Sequence, residues 1–248
     1  MSTDLFNTIY PDAANCVVPE IPADLEKYAT KMALVKRYDD PEYVPVGCID
    51  DNVLLHTKRC VLRLQSLNLR DIEGAYRMLW IHDFDELHLK KDVNTVRKVD
   101  EGINEVFRML DIISEADNKL LQDFTKATGL KKGLPCQDAL ACLGKTIDFV
   151  DGPLTFFYWY TKWINAGNFW NKIVPPASVF TYTLPQNRAF LAGVSASNID
   201  SAVKIACIDI LKKQLQVIVD LWGNVSKNNV PAPMFEELEK MRSIVCLV

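Results

Sequence analysis

Apolar residues recur every three or four positions in this chain, and this spacing constrains the fold more than any other feature of the sequence. From residue 51 onward, Val53, Leu54, Val61, Leu64 and Leu67 follow such a repeat. The repeat is typical of an amphipathic α-helix that buries one face. The alternation of apolar and polar residues that marks half-buried strands is almost absent. The sequence therefore predicts an all-α protein.

The same periodicity and the turn residues between periodic segments predict how the chain is organised. We expect a single helical bundle in residues 51–170, wrapped by residues 1–50 and extended by C-terminal helices in residues 171–248. Residues 167–197 are rich in proline and are expected to be irregular, with a short strand pair near residues 179–183. The expected helices lie around residues 23–38, 53–67, 72–80, 99–125, 137–166 (bent at Gly152 and Pro153), 198–222, and after Pro233.

Charge and cysteine content restrict the classes of partner and location. The net charge is −4 and no stretch is strongly basic, whereas binding an extended nucleic acid requires clustered Lys and Arg. Charges interrupt the apolar runs, so no membrane partner is expected, and the first thirty residues lack the pattern of a signal peptide. Seven cysteines without a Cys-x-x-Cys pair disfavour a disulfide framework and favour a cytoplasmic location.

Histidine is rare in this chain, and one histidine stands beside an aspartate. The histidines are His56, His82 and His88, and His82 is followed by Asp83 at the end of an apolar helical segment. Such a pair can offer an imidazole nitrogen and a carboxylate oxygen to one divalent metal ion. Mixed nitrogen and oxygen ligands suit Mn, Co, Fe, Ni or Zn, with Mg less natural for histidine.

Two other segments can complete this ligand set. His56 lies on the preceding helix, and two consecutive helices can bring it to the His82-Asp83 pair. Asp148 and Asp151 lie within an otherwise apolar helix. Because burial of an unpaired carboxylate is costly, buried carboxylates tend to be paired or bound to metal. The alternative for both aspartates is a solvent-exposed position.

The order of a histidine, a His-Asp pair and a distant aspartate resembles the HD-domain phosphohydrolases, most closely their 5'-deoxynucleotidase branch. The segment 52–57, Asn-Val-Leu-Leu-His-Thr, resembles the segment in which that branch has Glu-His-Ser. Residues 78–83, followed by Glu86 and Asp92, resemble its His-Asp-x-x-Glu segment.

The resemblance continues into the next helices. Residues 121–124, Leu-Gln-Asp-Phe, and residues 147–151, Ile-Asp-Phe-Val-Asp, resemble the acidic helix and the ligand-bearing helix of that branch. The similarity covers roughly residues 45–170.

The resemblance implies one divalent metal ion in an HD-type helical bundle, and it implies the ligands. These are His56, His82, Asp83 and Asp151, with Asp148 as the substitute if the last helix is shifted by one turn. Glu86 matches the family glutamate that handles protons near the attacking water.

A phosphate ester also needs cationic partners. Lys58 and Arg59, beside His56, are the candidates for phosphate binding, with Lys90 and Lys91 in reserve.

Three departures from the family pattern concern substrate contacts more than metal binding. Leu55 stands where the branch usually has glutamate, Thr57 replaces serine, and the spacing from His82 to Asp92 is longer by one residue. Because His88 is the one histidine left over, a histidine-rich site for two metals is nearly excluded.

Three hypotheses of function follow. The first is a metal-dependent phosphohydrolase acting on a nucleotide, namely a (deoxy)nucleoside monophosphate 5'-phosphatase. The second is a (deoxy)nucleoside triphosphate hydrolase or another phosphoesterase. The third is a degenerate HD domain that binds a nucleotide or a protein without catalysis. Because related enzymes are commonly dimers, the resemblance also implies a homodimer.

Overall fold

Helices form nearly all the regular structure in the part of the chain that the computed structural model describes, which is residues 3–37, 48, 50–84, 86–89, 114–166, 176–225 and 236. Within these residues, β pairing is limited to one bridge between Lys36 and Asn52. The all-α expectation is confirmed. The helices are α1 (Thr3–Ile9), a 3₁₀ helix (Pro11–Ala13), α2 (Glu26–Leu34), α3 (Val53–Ser66), α4 (Glu73–Ile81), α5 (Glu86–Leu89), α6 (Glu115–Lys126), a second 3₁₀ helix (Ala127–Lys132), α7 (Ala139–Asn165), α8 (Pro176–Ala196) and α9 (Ser201–Gly223).

Polar side chains fix where four of these helices begin. Asn52 caps α3 by accepting a hydrogen bond from the Leu55 amide at 3.0 Å. Ser114, Asp138 and Asp200 cap α6, α7 and α9 in the same way. Each cap satisfies backbone N–H groups that have no partner inside the helix, which typically stabilises the helix by about 1 kcal/mol.

The helix α7 is the centre of the molecule. It packs against α1, α3, α4, α6 and α9, and most of its 27 residues are buried. A helix that is buried on nearly all sides is apolar on nearly all sides, which explains the long apolar segment that carries Asp148 and Asp151. The helix runs on through Gly152 and Pro153, where the sequence predicts a bend.

The N-terminal residues pack against the central helix α7 and against α3. Leu5, Phe6, Ile9 and Tyr10 are buried, and α1 and the first 3₁₀ helix contact α7 and α3. The sequence predicts that this segment wraps the bundle, but its periodicity alone did not predict α1.

The structure of residues 176–196 differs from the prediction. It is predicted to be irregular with a short strand pair near residues 179–183, but it forms the helix α8. The helix packs on the second 3₁₀ helix, and a Cβ at Gly193 would lie 2.8 Å from the Leu134 carbonyl oxygen. Burial of Phe190 and Val194 in this close packing outweighs the low helix propensity of proline and of β-branched residues.

Two predicted helices lie wholly or partly outside the described residues. Residues 99–113 and the segment after Pro233 belong there, apart from residue 236, as do Lys90, Lys91 and Asp92. Among the helices that are described, none combines the length and the apolar character needed to cross a bilayer.

Candidate metal centre

Two histidines and two aspartates, which are residue types able to bind a metal, meet where α3 and the end of α4 pack on α7. His56 lies at the end of the first turn of α3, while His82 and Asp83 follow the last turn of α4. Asp148 lies on α7. One donor atom from each of these residues lies within 4.8 Å of the others, so this group could hold a metal ion.

The distances within this group fit the spacing of ligands around one cation. The two Nε2 atoms of His56 and His82 lie 3.0 Å apart. Asp83 Oδ2 and Asp148 Oδ1 each lie 3.4 Å from His56 Nε2, and His82 Nε2 lies 3.3 Å from Asp83 Oδ1. Adjacent ligand atoms at about 2.1 Å from one ion are separated by roughly 3.0–3.5 Å. Two imidazoles and two carboxylates therefore fit a divalent cation in both chemistry and spacing.

Each imidazole ring has a hydrogen-bond acceptor at Nδ1, on the side of the ring away from the centre. His56 Nδ1 lies 2.7 Å from Asp151 Oδ2, and His82 Nδ1 lies 2.6 Å from the Leu79 carbonyl oxygen. When Nδ1–H donates to these acceptors, the Nε2 lone pairs face the centre. Metal-bound histidines commonly have such partners, which fix the tautomer and the ring orientation.

Asp151, which the resemblance implies as the fourth ligand, is placed outside the group. Its carboxylate accepts hydrogen bonds from Tyr10 Oη at 2.7 Å and from Arg59 Nε and Nη2, both at 2.8 Å. Its remaining contact is with Nδ1 of His56, on the side of the ring away from His82. The geometry favours the substitute: Asp148 lies in the group that could hold an ion, and Asp151 contacts Nδ1 of His56.

Arg59, a candidate for phosphate binding, is buried, and four of its five N–H groups donate to protein carboxylates. Its guanidinium is 1% exposed and donates to Asp51 at 2.8 and 2.9 Å as well as to Asp151. A buried cation between two buried carboxylates is a structural ion pair. It fixes Asp151 behind His56.

Lys58 and Glu86, the other two predicted site residues, lie at different positions relative to the group. Lys58 is two residues after His56, so the two residues lie about 200° apart around α3, and the role of Lys58 in phosphate binding stays a prediction. Glu86 begins α5, and its amide donates to the Asp83 carbonyl oxygen at 3.0 Å. Its half-buried side chain thus lies three residues after Asp83, a member of the group, and its role in proton transfer stays a prediction.

The carboxylates control the protonation of this group. Burial lowers the pKa of His82, but the charges of Asp83 and Asp148 outweigh burial and raise this pKa to about 9. Burial opposes ionisation of Asp148 too, yet hydrogen bonds with His56 and His82 hold its pKa well below 3.8. Because a metal binds the neutral imidazole, ion and proton compete for His82.

Cys60 also lies close to the histidines, and one donor atom from each of His56, Cys60 and His82 lies within 4.8 Å of the others, but its sulfur is not aligned with an ion at Nε2 of His56. Its sulfur is 3.8 Å from Nδ1 and 3.7 Å from Nε2 of His56. Nearly equal distances to the two nitrogens place the sulfur beside the ring and away from the line of the Nε2 lone pair. Cys60 is therefore a packing partner of His56.

Several residues that contact this centre were not predicted from the sequence. Arg37 Nη1 lies 3.9 Å from Asp83 Oδ2, and Lys145 Nζ lies 2.9 Å from Asp148 Oδ2. The spacing of three residues between Lys145 and Asp148 is a signal that could have identified that pair. Nothing in the sequence connects Tyr10 or Arg37 to residues so distant along the chain.

Searches against known protein families, characterised proteins and solved structures find no match to this chain. The fold and the site thus define a mainly helical protein with a His/Asp group that could hold a metal ion.

Proposed function

We propose that this protein is an HD-type, metal-dependent phosphohydrolase that acts on a nucleotide. The observation that carries the proposal is the meeting of His56, His82, Asp83 and Asp148. These residues follow the chain order of the family that the sequence resembles. The imidazole partners Asp151 and Leu79 support a metal centre, because they present both Nε2 atoms to the same point.

A divalent ion held by these four residues would polarise a phosphoryl oxygen and lower the pKa of a water molecule. Two histidines and two carboxylates match Mn, Co, Fe, Ni, Zn or Mg.

The side chains around the group would bind and orient the phosphate. Asp83 and Asp148 are about 15% exposed, so the group opens to solvent on their side. Arg37 and Lys145 contact these two carboxylates and take the role that the sequence assigned to Lys58 and Arg59. Their positive charges would offset the charge of a phosphate ester. Glu86, one turn after Asp83, would accept a proton from the attacking water.

The substrate class rests on the resemblance. The deoxynucleotidase-like segments favour a (deoxy)nucleoside monophosphate, and a triphosphate or another phosphoester is the second candidate. Leu55, where the branch usually has glutamate, favours the third reading, a degenerate domain that binds without catalysis.

Metal content and phosphate release test this proposal. Purified protein, treated with EDTA and reloaded with Mn²⁺ or Co²⁺, should bind one ion and release phosphate from a panel of nucleoside mono-, di- and triphosphates. His82→Ala should lose both the metal and the activity while its helical circular dichroism stays largely intact. Lys58→Ala is the matched control on α3 and should keep both.

Each outcome separates the candidates. Metal without phosphate release from any nucleotide would support the degenerate domain. Release of triphosphate would select the second candidate. A His82→Ala variant that binds the ion as well as the wild type would overturn the metal centre itself.

A further inference from the structure

A cavity of about 220 Å³ lies where the N-terminal segment, α3, α7 and α9 meet. None of the four residues of the candidate metal centre lines it. Six apolar residues form much of its wall, namely Ile9, Pro11, Val150, Leu154, Ile210 and Val217. Cavities that hold drug-sized ligands measure about 300–1,000 Å³, so this cavity suits a smaller molecule with an apolar body.

Two buried polar side chains also line this cavity, Arg63 from α3 and Gln214 from α9. Their residues are 4% and 2% exposed. Within the described part of the chain, Arg63 Nε and Gln214 Oε1 have no hydrogen-bond partner. Gln214 Nε2 donates to the Val150 carbonyl oxygen at 3.3 Å, which orients the amide and leaves Oε1 as an acceptor. Because a buried polar atom without a partner is costly, the pair favours a ligand that offers an acceptor to Arg63 and a donor to Gln214.

The positive charge of Arg63 is only partly offset by the protein. Arg63 Nη1 lies 3.4 Å from Asp12 Oδ2, and the same oxygen accepts a hydrogen bond from Lys213 Nζ at 2.6 Å. Asp220, the other carboxylate in the wall, is exposed and accepts from Gln216 Nε2 at 2.8 Å. Two cations thus share the carboxylate of Asp12. A buried guanidinium with such a weak contact favours a further anionic partner.

Two other arginines in this protein show which anion fits a guanidinium edge. Arg59 holds Asp151 through Nε and Nη2, both at 2.8 Å. Arg77 holds Asp117 through the same two atoms at 2.8 and 2.6 Å. A planar carboxylate matches this edge with two parallel hydrogen bonds. The ion pair of Arg63 uses Nη1 instead, so its Nε–Nη2 edge is left for a carboxylate from outside the chain.

We propose that this cavity binds a small α-hydroxy acid with a short apolar side chain. Its carboxylate accepts hydrogen bonds from Nε and Nη2 of Arg63, and its hydroxyl donates to Gln214 Oε1. The apolar side chain packs against Val150, Leu154 and Val217. A neutral hydroxyl fits better than an ammonium group, because Arg63 and Lys213 are already positive. The site is independent of the proposed hydrolase function.

Isothermal titration calorimetry of the full-length, EDTA-treated protein tests the proposal. Metal-free protein is used because α-hydroxy acids also chelate metal ions. The probe α-hydroxyisocaproate should bind saturably to one site. Its amide, α-hydroxyisocaproamide, should bind about tenfold or more weakly, because it lacks the charge that Arg63 recognises. Isocaproate, without the hydroxyl, and leucine, with an ammonium group in its place, should also bind more weakly. Inorganic phosphate should not displace the probe.

Two variants locate the bound probe. Arg63→Met should weaken binding of α-hydroxyisocaproate by about tenfold or more, because it removes a charged hydrogen-bond donor. Val217→Phe, at a half-buried position in the wall, should block binding by filling the cavity. Arg70→Met, at an exposed arginine outside the cavity, is the matched control and should bind like the wild type.

Circular dichroism verifies that each variant is folded, and Val217→Phe decides the question if Arg63→Met is not. His82→Ala should bind the probe like the wild type, which separates this site from the metal centre. Absence of saturable binding of α-hydroxyisocaproate would overturn the proposal. Equal affinities for the acid and its amide, tighter binding of phosphate than of the acid, or wild-type affinity in a folded Val217→Phe variant would overturn it too.

Discussion

At the scale of single residues, two aspartates one helical turn apart serve different purposes. Asp148 faces Nε2 of His56 across the centre, and Asp151 faces Nδ1 of the same ring. One carboxylate can bind a cation, and the other orients the imidazole that binds it. Arg59 and Tyr10 hold Asp151 in this second position.

Replacement of each aspartate by asparagine should separate these two purposes. Asp148→Asn should abolish metal binding in equilibrium dialysis, because it removes a ligand. Asp151→Asn should weaken metal affinity by about 10- to 100-fold, as loss of a histidine partner typically does.

The two variants should also differ in stability. Asp151→Asn takes one of two buried carboxylates from Arg59 and should lower the free energy of unfolding by about 3 kcal/mol, measured by urea denaturation without metal. Asp148→Asn should lower it less, because Asp148 is partly exposed. A larger loss of stability in Asp148→Asn than in Asp151→Asn would contradict the assignment.

At the scale of elements, α7 is the helix against which the helices that carry the site residues pack. The α3 and α4 helices pack on it and bring His56 and His82 to Asp148. The N-terminal segment contributes as well, because Tyr10 donates its hydroxyl to Asp151. Docking of residues 3–13 and the orientation of His56 are therefore physically connected.

Removal of one hydroxyl tests this connection. Tyr10→Phe deletes a hydrogen bond to a buried charged acceptor, which is worth about 1.5–3 kcal/mol, and should lower the free energy of unfolding by that amount. Tyr76→Phe, at a half-buried tyrosine on α4, is the matched control. Equal stabilities of the two variants in urea denaturation would show that the Tyr10 hydroxyl makes no net contribution.

Arg77 on α4 connects three elements at another surface. It donates to Asp24, just before α2, and to Asp117 on α6. The hydrogen bonds from Arg77 lower the pKa of both carboxyls from 3.8. A lowered pKa in the fold means that the unfolded chain binds more protons at acid pH, so this stabilisation is present above about pH 4 and is lost as the pH falls below it.

Arg77→Met should reduce this acid sensitivity. The wild-type free energy of unfolding should fall more steeply between about pH 5 and pH 2.5 than that of the variant, whose carboxyls titrate nearer their ordinary pKa. Arg188→Met, at an exposed arginine on α8, should follow the wild type. Parallel curves for Arg77→Met and wild type in urea denaturation would exclude the ion pairs as the cause.

At the scale of the whole molecule, a metal ion would join three helices that are remote in sequence. An ion that binds only the folded state stabilises it by about 2.7 kcal/mol at a concentration 100 times its dissociation constant. For a chain of this size, each kcal/mol raises the melting temperature by about 2–4 °C.

Thermal unfolding should show this linkage. Mn²⁺ or Co²⁺ at saturating concentration should raise the melting temperature of the EDTA-treated protein by about 5–10 °C. The same addition should leave His82→Ala unchanged. An equal rise in both proteins would place the ion elsewhere.

Local sequence determined most of the helices and the residue types of the centre. Apolar periodicity predicts α3, α4, α7 and α9, because a helix is fixed by contacts three and four residues apart and by its caps. The same local reasoning identified the His82-Asp83 pair and narrowed the last carboxylate to Asp148 or Asp151. It misjudged α8, where packing overrides the proline and β-branched signals.

Only the tertiary structure decided which atoms meet. Spacing along a helix tells which residues share a face, but not which face turns toward a distant helix. That orientation placed Asp148 in the group and placed the Asp151 carboxylate between Nδ1 of His56 and the guanidinium of Arg59. It follows from the burial of whole helix faces against one another, a sum over many contacts between residues that are remote along the chain.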